Sequence, residues 1–178
     1  MTPYKRREIL ILRNEELESS GMGCKGCSGT CCTYEANSMM VTPVEAFELY
    51  TYLVESHQFN DDLKKRLEET VAQYRLDHGV GNGRRSFLRR TYTCPFFNHK
   101  ELGCPIPREV KPYGCIAFNS HDVVKKAGEF CYSEKDVLEK RELIDADEAK
   151  LNEELKVKYK LYWDKVPMPV ALLDFFKI

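Results

Sequence analysis

An α-rich fold (α+β with few short strands), built around an irregular cysteine-rich core, is what this sequence predicts. Three observations predict it. Four of the eight cysteines of the 178-residue chain fall in the nine-residue run Cys24-Lys25-Gly26-Cys27-Ser28-Gly29-Thr30-Cys31-Cys32. The small and polar residues between them cannot make a hydrophobic core, but they let the backbone fold tightly enough for sulfurs to converge. The other four cysteines, Cys94, Cys104, Cys115 and Cys131, come after a long helix-like insert. Most of what remains has helical spacing, with only brief extended runs.

In chain order, residues 4–13 alternate weakly and read as a short strand, and residues 19–37 are the first cysteine loop. The apolar Ser38-Met39-Met40-Val41 then leads to a helix with a complete start signal. Thr42 is the N-cap, Pro43 takes the first helical position and Glu45 stands three residues after the cap. Val44, Phe47, Tyr50, Leu53 and Val54 mark its apolar face. A second helix opens at Asn60 or Asp61 and carries Leu63, Leu67, Val71 and Tyr74 at helical spacing, with Gly79 as its stop. Residues 43–78 are thus a helical hairpin inserted between the cysteine regions. Gly81-Asn82-Gly83 is a connector, and residues 86–93 form a strand or extended run into Cys94.

The residues from Asn98 to Gly103 make a turn that returns Cys104 toward Cys94 as a hairpin. Pro105, Pro107 and Pro112 prevent a long regular element there. Ser133 and Asp136 cap the start of the C-terminal helices. A charged helix over about residues 145–164 directs Leu151, Leu155, Tyr159 and Tyr162 to the core, with Trp163 nearby, and Pro167 and Pro169 end it. The apolar residues 170–176 dock on the domain. The chain reads as one domain, 1–178, with a core at 20–131 and a C-terminal helical appendage at 133–178.

Composition narrows the function. With 27 Lys and Arg against 28 Asp and Glu, and no long basic run, the electrostatic footprint of a nucleic-acid binder is missing. The expected partners are a metal ion or cluster, with a protein partner of unspecified identity and neither nucleic acid nor membrane. No stretch approaches the ~20 apolar residues of a membrane span, and residues 1–13 lack the apolar run of a secretory signal. The reading is cytoplasmic. In a reducing compartment, clustered cysteines are metal ligands or redox groups and not structural disulfides.

All eight cysteines, Cys24, Cys27, Cys31, Cys32, Cys94, Cys104, Cys115 and Cys131, are candidate metal ligands. The C-x2-C pair Cys24 and Cys27 can chelate one metal through a turn. Adjacent Cys31 and Cys32 would point apart in an extended backbone, so either they serve two centres or one of them does not ligate. The alternative is a set of buried or redox-active thiols without metal. His57, His78, His99 and His121 are scattered and read as ordinary surface histidines.

These motifs resemble the CxxCxxCC cysteine-cluster family (YkgJ-like zinc- or iron-chelating proteins). That family combines an N-terminal C-x2-C-x2-CC cluster with a later C-P…C…R-P-x2-C segment. Here the parts are Cys24, Cys27, Cys31 and Cys32, then Cys94-Pro95, Cys104, and Lys111-Pro112-Tyr113-Gly114-Cys115; the start at Thr42, Pro43 and Glu45 is similar to the family's intervening helix. The resemblance spans about residues 20–120 and implies metal binding. The chain departs from the pattern by one extra residue before Cys31 and by Lys111 in place of arginine, which removes a planar bidentate donor. Cys131 lies outside the resemblance.

Eight thiols equal two four-thiolate sites, which accommodates zinc, an iron–sulfur cluster (4Fe–4S among the candidates) or both. Cys94-Pro95 and Cys104-Pro105 echo the Cys-Pro pairing of ferredoxin clusters, and zinc sites more often use two separated C-x2-C pairs; the sequence therefore favours iron. Three functions follow. The first is a metal or cluster protein with a redox, metal-handling or cluster-handling role. The second is an enzyme or accessory related to protein lysine N-methylation, because some members of the resembled family look like flagellin lysine N-methylases. Against it, no Gly-rich cofactor loop, phosphate loop or nucleophile–base motif is present, and whether the chain is an enzyme stays open. The third is a structural zinc module for partner binding.

Overall fold

The computed structural model describes Glu8, Ile11, Leu12, Ser19 and residues 14–16, 29–77, 90–117 and 146–178. The chain is predominantly helical, with one small sheet, as predicted. The named helices are α1 (Pro43–Glu55), α2 (Asp61–Tyr74), the one-turn α3 (Tyr113–Ile116), α4 (Ala146–Tyr159) and α5 (Met168–Phe175). The sheet has two strands, β1 (Met40–Val41) and β2 (Val166–Pro167), paired antiparallel with Met40 opposite Pro167 and Val41 opposite Val166.

Helix α1 starts as its sequence dictates. Thr42 caps it, Pro43 occupies the first turn, and the capping box with Glu45 is complete. Its buried side is Val44, Ala46, Leu49 and Leu53, whereas Val54 is exposed and Phe47 and Tyr50 are half-buried. The apolar stripe is therefore rotated from the predicted one, and both α4 and α5 pack on α1. The side chain of Asn60 caps α2 by accepting from the Leu63 N–H at 3.0 Å, and Leu63, Leu67 and Val71 are buried.

Helix α2 ends at Tyr74, with Arg75 in the left-handed region (φ 52°); Gly79, the predicted stop, lies outside the described residues. The Leu76 N–H donates back to the Val71 carbonyl at 3.0 Å, and the Leu76 side chain is buried. A hydrophobic residue tucked under the last turn in this way closes a helix without glycine. Helix α4 ends by the same device: Lys160 has φ 53°, the Leu161 N–H donates to the Lys156 carbonyl at 3.0 Å, and Leu161 is buried. It thus stops well before Pro167. Its buried residues are Glu148 and Asn152, whereas Leu151, Leu155 and Tyr159 are only half-buried and Tyr162, beyond its end, is exposed. Of the predicted face, Tyr159 does pack on the core, 5.3 Å from the Phe47 ring and 5.5 Å from the Phe175 ring, while Asn152 is buried because its side chain accepts the Val44 N–H at 3.0 Å, capping α1 from a distance.

The core joins α1, α2 and α5 through Leu49, Leu53, Leu63, Leu67, Ala171, Leu172 and Phe175. Aromatic rings extend it: Tyr50 stacks on Phe175 at 4.6 Å, and Phe59, which meets Tyr50 edge-on, stacks on Phe176. The C-terminal apolar segment is docked, as expected. Near the N-terminus, Glu8, Ile11 and Leu12 are helical, not a strand. Ile11 and Asn14, three residues apart, are both buried; Ile11 packs with Tyr113 and Ile116, and the Asn14 amide donates to the Ile116 carbonyl at 3.3 Å. The N-terminal segment thereby seats on α3, which carries Cys115.

Candidate metal centre

Four short segments build the site, each fixed by local chemistry. The first is a 3-10 turn, Thr30–Cys32, entered through Gly29 with φ 81°. The Cys32 and Thr33 N–H groups both donate to the Gly29 carbonyl, at 2.8 and 2.9 Å. A side chain at Gly29 would be strained at that φ, and its Cβ would overlap the Phe97 ring. The absence of a side chain lets Phe97 lie directly against the cysteine turn.

The second segment runs from Tyr92 to Cys94 beside the first. The Tyr92 N–H donates to the Asn37 carbonyl and the Asn37 amide donates to the Tyr92 carbonyl, both at 2.9 Å. The buried Tyr92 hydroxyl donates to the Met39 carbonyl at 2.7 Å, and the Cys94 N–H donates to the Cys32 carbonyl at 2.7 Å. Residues 90–94 form no regular strand, and residues 86–89 lie outside the described ones. The two cysteine regions nonetheless meet across the helical insert, through backbone bonds between cysteine-bearing residues themselves.

The third segment is the predicted hairpin turn. The Asn98 N–H donates to the Gly103 carbonyl at 2.9 Å, and the Asn98 side chain accepts from the N–H groups of Lys100 and Glu101. Leu102 and Gly103 have φ 51° and 138°, which turns the chain back to Cys104. The fourth segment is α3. The Cys115 N–H donates to the Pro112 carbonyl at 2.8 Å. Glu45, already half of the α1 capping box, uses its second oxygen to accept the Tyr113 N–H at 2.8 Å. One buried carboxylate therefore ties the starts of two helices, α1 and the helix of Cys115, together.

Five cysteines, Cys31, Cys32, Cys94, Cys104 and Cys115, line one cavity of about 50 Å³. All five are half-buried. The 3-10 turn changes the reading of the adjacent pair: Cys31 and Cys32 are not extended, and both face the same cavity. Met39 and Met168 add two thioethers to the wall, and Lys111 is the only charged side chain that lines it among the described residues. Neither carboxylate nor imidazole lines it there. A donor set dominated by sulfur suits soft metals and iron–sulfur clusters better than magnesium or calcium.

The electrostatics follow from the crowding. Burial pushes the Cys94 thiol up, and the nearby charges that Cys104 and Cys32 would carry push it further, while the Phe96 N–H and Lys111 work in the opposite direction. Cys115 is raised well above the ordinary thiol range, first by burial and then by Cys94, Cys104 and Cys32, against Lys111. Cys104 is raised mainly by burial and held back by Lys111. Burial, then the charges of Cys94 and Cys115, also raise the Tyr92 phenol. Burial and mutual repulsion thus favour the protonated thiols, and a bound cation would reverse that balance.

Among the described residues, no three His, Cys, Asp or Glu side chains are drawn together as a finished metal site. Cys24, Cys27 and Cys131, predicted as ligands, lie outside the described residues, as do His78 and His121. His57 is exposed beyond the end of α1 with φ 58°. His99 is exposed and meets Phe97 edge-on, with ring centroids 4.8 Å apart, away from the cavity wall. Sequence reasoning missed Met168, Asn37 and the second role of Glu45. Asn37 had a local signal, as a polar residue entering an apolar run; Met168 had none, because the fold delivers it from the opposite end of the chain.

No described helix is long and apolar enough to cross a membrane. No family model matches the chain, and no curated protein or solved structure is significantly similar to it.

Proposed function

We propose that this chain is a cysteine-thiolate metal protein that holds an iron–sulfur cluster or zinc and works in redox chemistry or in metal or cluster handling. The observation that carries the reading is the convergence of Cys31, Cys32, Cys94, Cys104 and Cys115 on one cavity, from segments separated by the helical insert. Four segments of a chain do not gather five thiols around a single space for packing alone, when apolar side chains would fill it without the cost of crowding ionisable groups. The resemblance to the CxxCxxCC family supports the same reading for Cys24 and Cys27, and in this reading Cys131, outside the resemblance, joins them in completing the ligand supply. Cys94-Pro95 and Cys104-Pro105 favour iron over zinc. Clustered cysteines in this number fit a reducing compartment, which we take to be the cytoplasm. A bound metal would neutralise the thiolates and lock the four segments together.

The test is a quantitative analysis of iron, zinc and acid-labile sulfide in full-length protein purified without oxygen. Iron with matching sulfide establishes a cluster. Zinc at one or two per chain makes the centre structural or metal-handling. Protein folded and free of both metals refutes the proposal and leaves thiol–disulfide chemistry as the use of the cavity.

A further inference from the structure

A groove of about 440 Å³ lies against the thiol cavity and shares Gly103, Cys104 and Lys111 with it. Cys104 and Lys111 therefore stand in the wall between the two spaces. The groove is held in shape by the left-handed Leu102 and Gly103 and by Pro105 and Pro107, all of which line it. Its charged lining is Arg108, Lys111 and Glu101, and the Glu101 carboxylate accepts a hydrogen bond from the Asn98 amide at 3.2 Å. Arg108 lines the groove and not the cavity.

Resting on the thiolate-metal reading above, we infer that this groove is the mouth of the centre and takes an anionic chelate of a soft metal, in which small carboxylate-bearing thiols hold the ion. Arg108 and Lys111 attract the carboxylates, and Cys104, open to both sides, is the first protein thiol the metal meets. Steering of this kind raises association rates because positive charge at a concave mouth concentrates anions there. The transfer is a ligand exchange. A metal–sulfur bond to the chelator breaks as one to Cys104 forms, the Cys104 proton goes to the released chelator thiolate, and the metal keeps its oxidation state. Repetition with the thiols behind Cys104 draws the metal inward.

The experiment uses the full reduced chain without metal. Zinc is presented at equal free concentration as its complex with mercaptosuccinate, which is anionic, or with cysteamine, which is cationic. Protein-bound zinc is measured at timed intervals and at completion. The wild-type protein is expected to load faster from mercaptosuccinate. Arg108→Glu is expected to shrink the ratio of the two rates roughly five- to tenfold, the effect of reversing one charge several ångströms from a multiply charged ligand after salt screening, with the final zinc content unchanged. Raising the salt is expected to compress the wild-type ratio likewise. Should Arg108→Glu fail to fold, Arg108→Gln is expected to give a smaller shift in the same direction. Zinc bound normally with a ratio unmoved by salt or by the Arg108 variants overturns this inference and leaves the metal reading intact. A wild-type chain that retains zinc from neither donor overturns both.

Discussion

Raising the pH from 7.5 to 9.5 should destabilise the metal-free protein and leave the metal-loaded protein nearly untouched, because the two forms hold the same thiols in opposite protonation states. In the metal-free fold, Cys94 and Cys115 are both raised well above the ordinary thiol range, first by burial and then by neighbouring cysteines. In the unfolded chain each returns to a pKa of about 8.5. Below that value both states are protonated and the thiols contribute no pH dependence. Above it the unfolded chain ionises and the folded one does not, so stability falls as the pH rises. Between pH 7.5 and 9.5 the ionisation term of one unfolded thiol grows tenfold, which is about 1.4 kcal/mol. Cys94 and Cys115 together cost on the order of 3 kcal/mol, a large share of the roughly 5–15 kcal/mol that holds a domain of this kind together. Cys104 adds to the loss. Urea unfolding of the metal-free protein at the two pH values, followed by circular dichroism, measures the effect, and Cys115→Ala should remove about half of it. The loaded protein should instead lose stability as the pH falls, since protons compete with the metal for thiolates. An equal drop in wild type and Cys115→Ala would refute the electrostatic picture of the cavity.

Further substitutions probe the framework and the site. Gly29→Ala should cost about 2–4 kcal/mol, from left-handed strain and overlap with Phe97, and denaturant melts of the double variant with Phe97→Ala should show the two changes coupling favourably. Glu45→Ala should cost about 2–4 kcal/mol, since it removes the α1 capping box and the acceptor for the Tyr113 N–H; a melt in which it behaves as an ordinary surface change would contradict the double tie. Tyr92→Phe leaves the Met39 carbonyl without its hydroxyl donor and should cost about 1–3 kcal/mol by the same assay. Cys→Ser at Cys94, Cys104 or Cys115 should abolish stoichiometric metal, read by elemental analysis; full retention in all three would separate the cavity from metal binding.

How much could be read in the sequence depended on how local the determining interaction is. Thr42, Pro43 and Glu45 set the start of α1 through contacts within one turn, so the capping box was legible and present. The Asn98–Gly103 turn was legible for the same reason. The end of α2 was not, because Leu76 closes it by burying in a core assembled from distant helices. The face of α4 was legible at Tyr159, which packs on the core, but not at Asn152, because periodicity weighs apolar residues and Asn152 is buried for a hydrogen bond to Val44 that no pattern encodes. At the site, the cysteine types and spacing announced sulfur chemistry. That Cys31 and Cys32 face one cavity followed only from the 3-10 turn and from Gly29 accommodating Phe97.

The hydrophobic core and the thiol cavity divide the work of the fold, and Glu45, Asn37 and Tyr92 are the joints between them. Leu49, Leu53, Leu63, Leu67 and Leu172 bury their side chains without reference to any metal, so the helical frame has its own source of stability. The cysteine segments join that core through Tyr92, Phe96 and Ile106, and Tyr113 and Ile116 pack in a second cluster. What sets their register beyond that packing is a set of polar ties to the frame: the Glu45 carboxylate to the Cys115 helix, and the Asn37–Tyr92 pair beside the bond from Cys94 to Cys32. Each tie is buried and directional, and loss of one partner strands the other. A cavity built in this way keeps its thiols near one another while the helices carry the stability. The metal-free chain is therefore expected to keep its helical frame, and metal binding to order the cysteine segments. Hydrogen exchange locates that boundary: protection in α1, α2 and α5 should survive metal removal, while protection at Cys32, Cys94 and Cys115 should fall. Collapse of all of them together would mean that frame and centre fold as one unit.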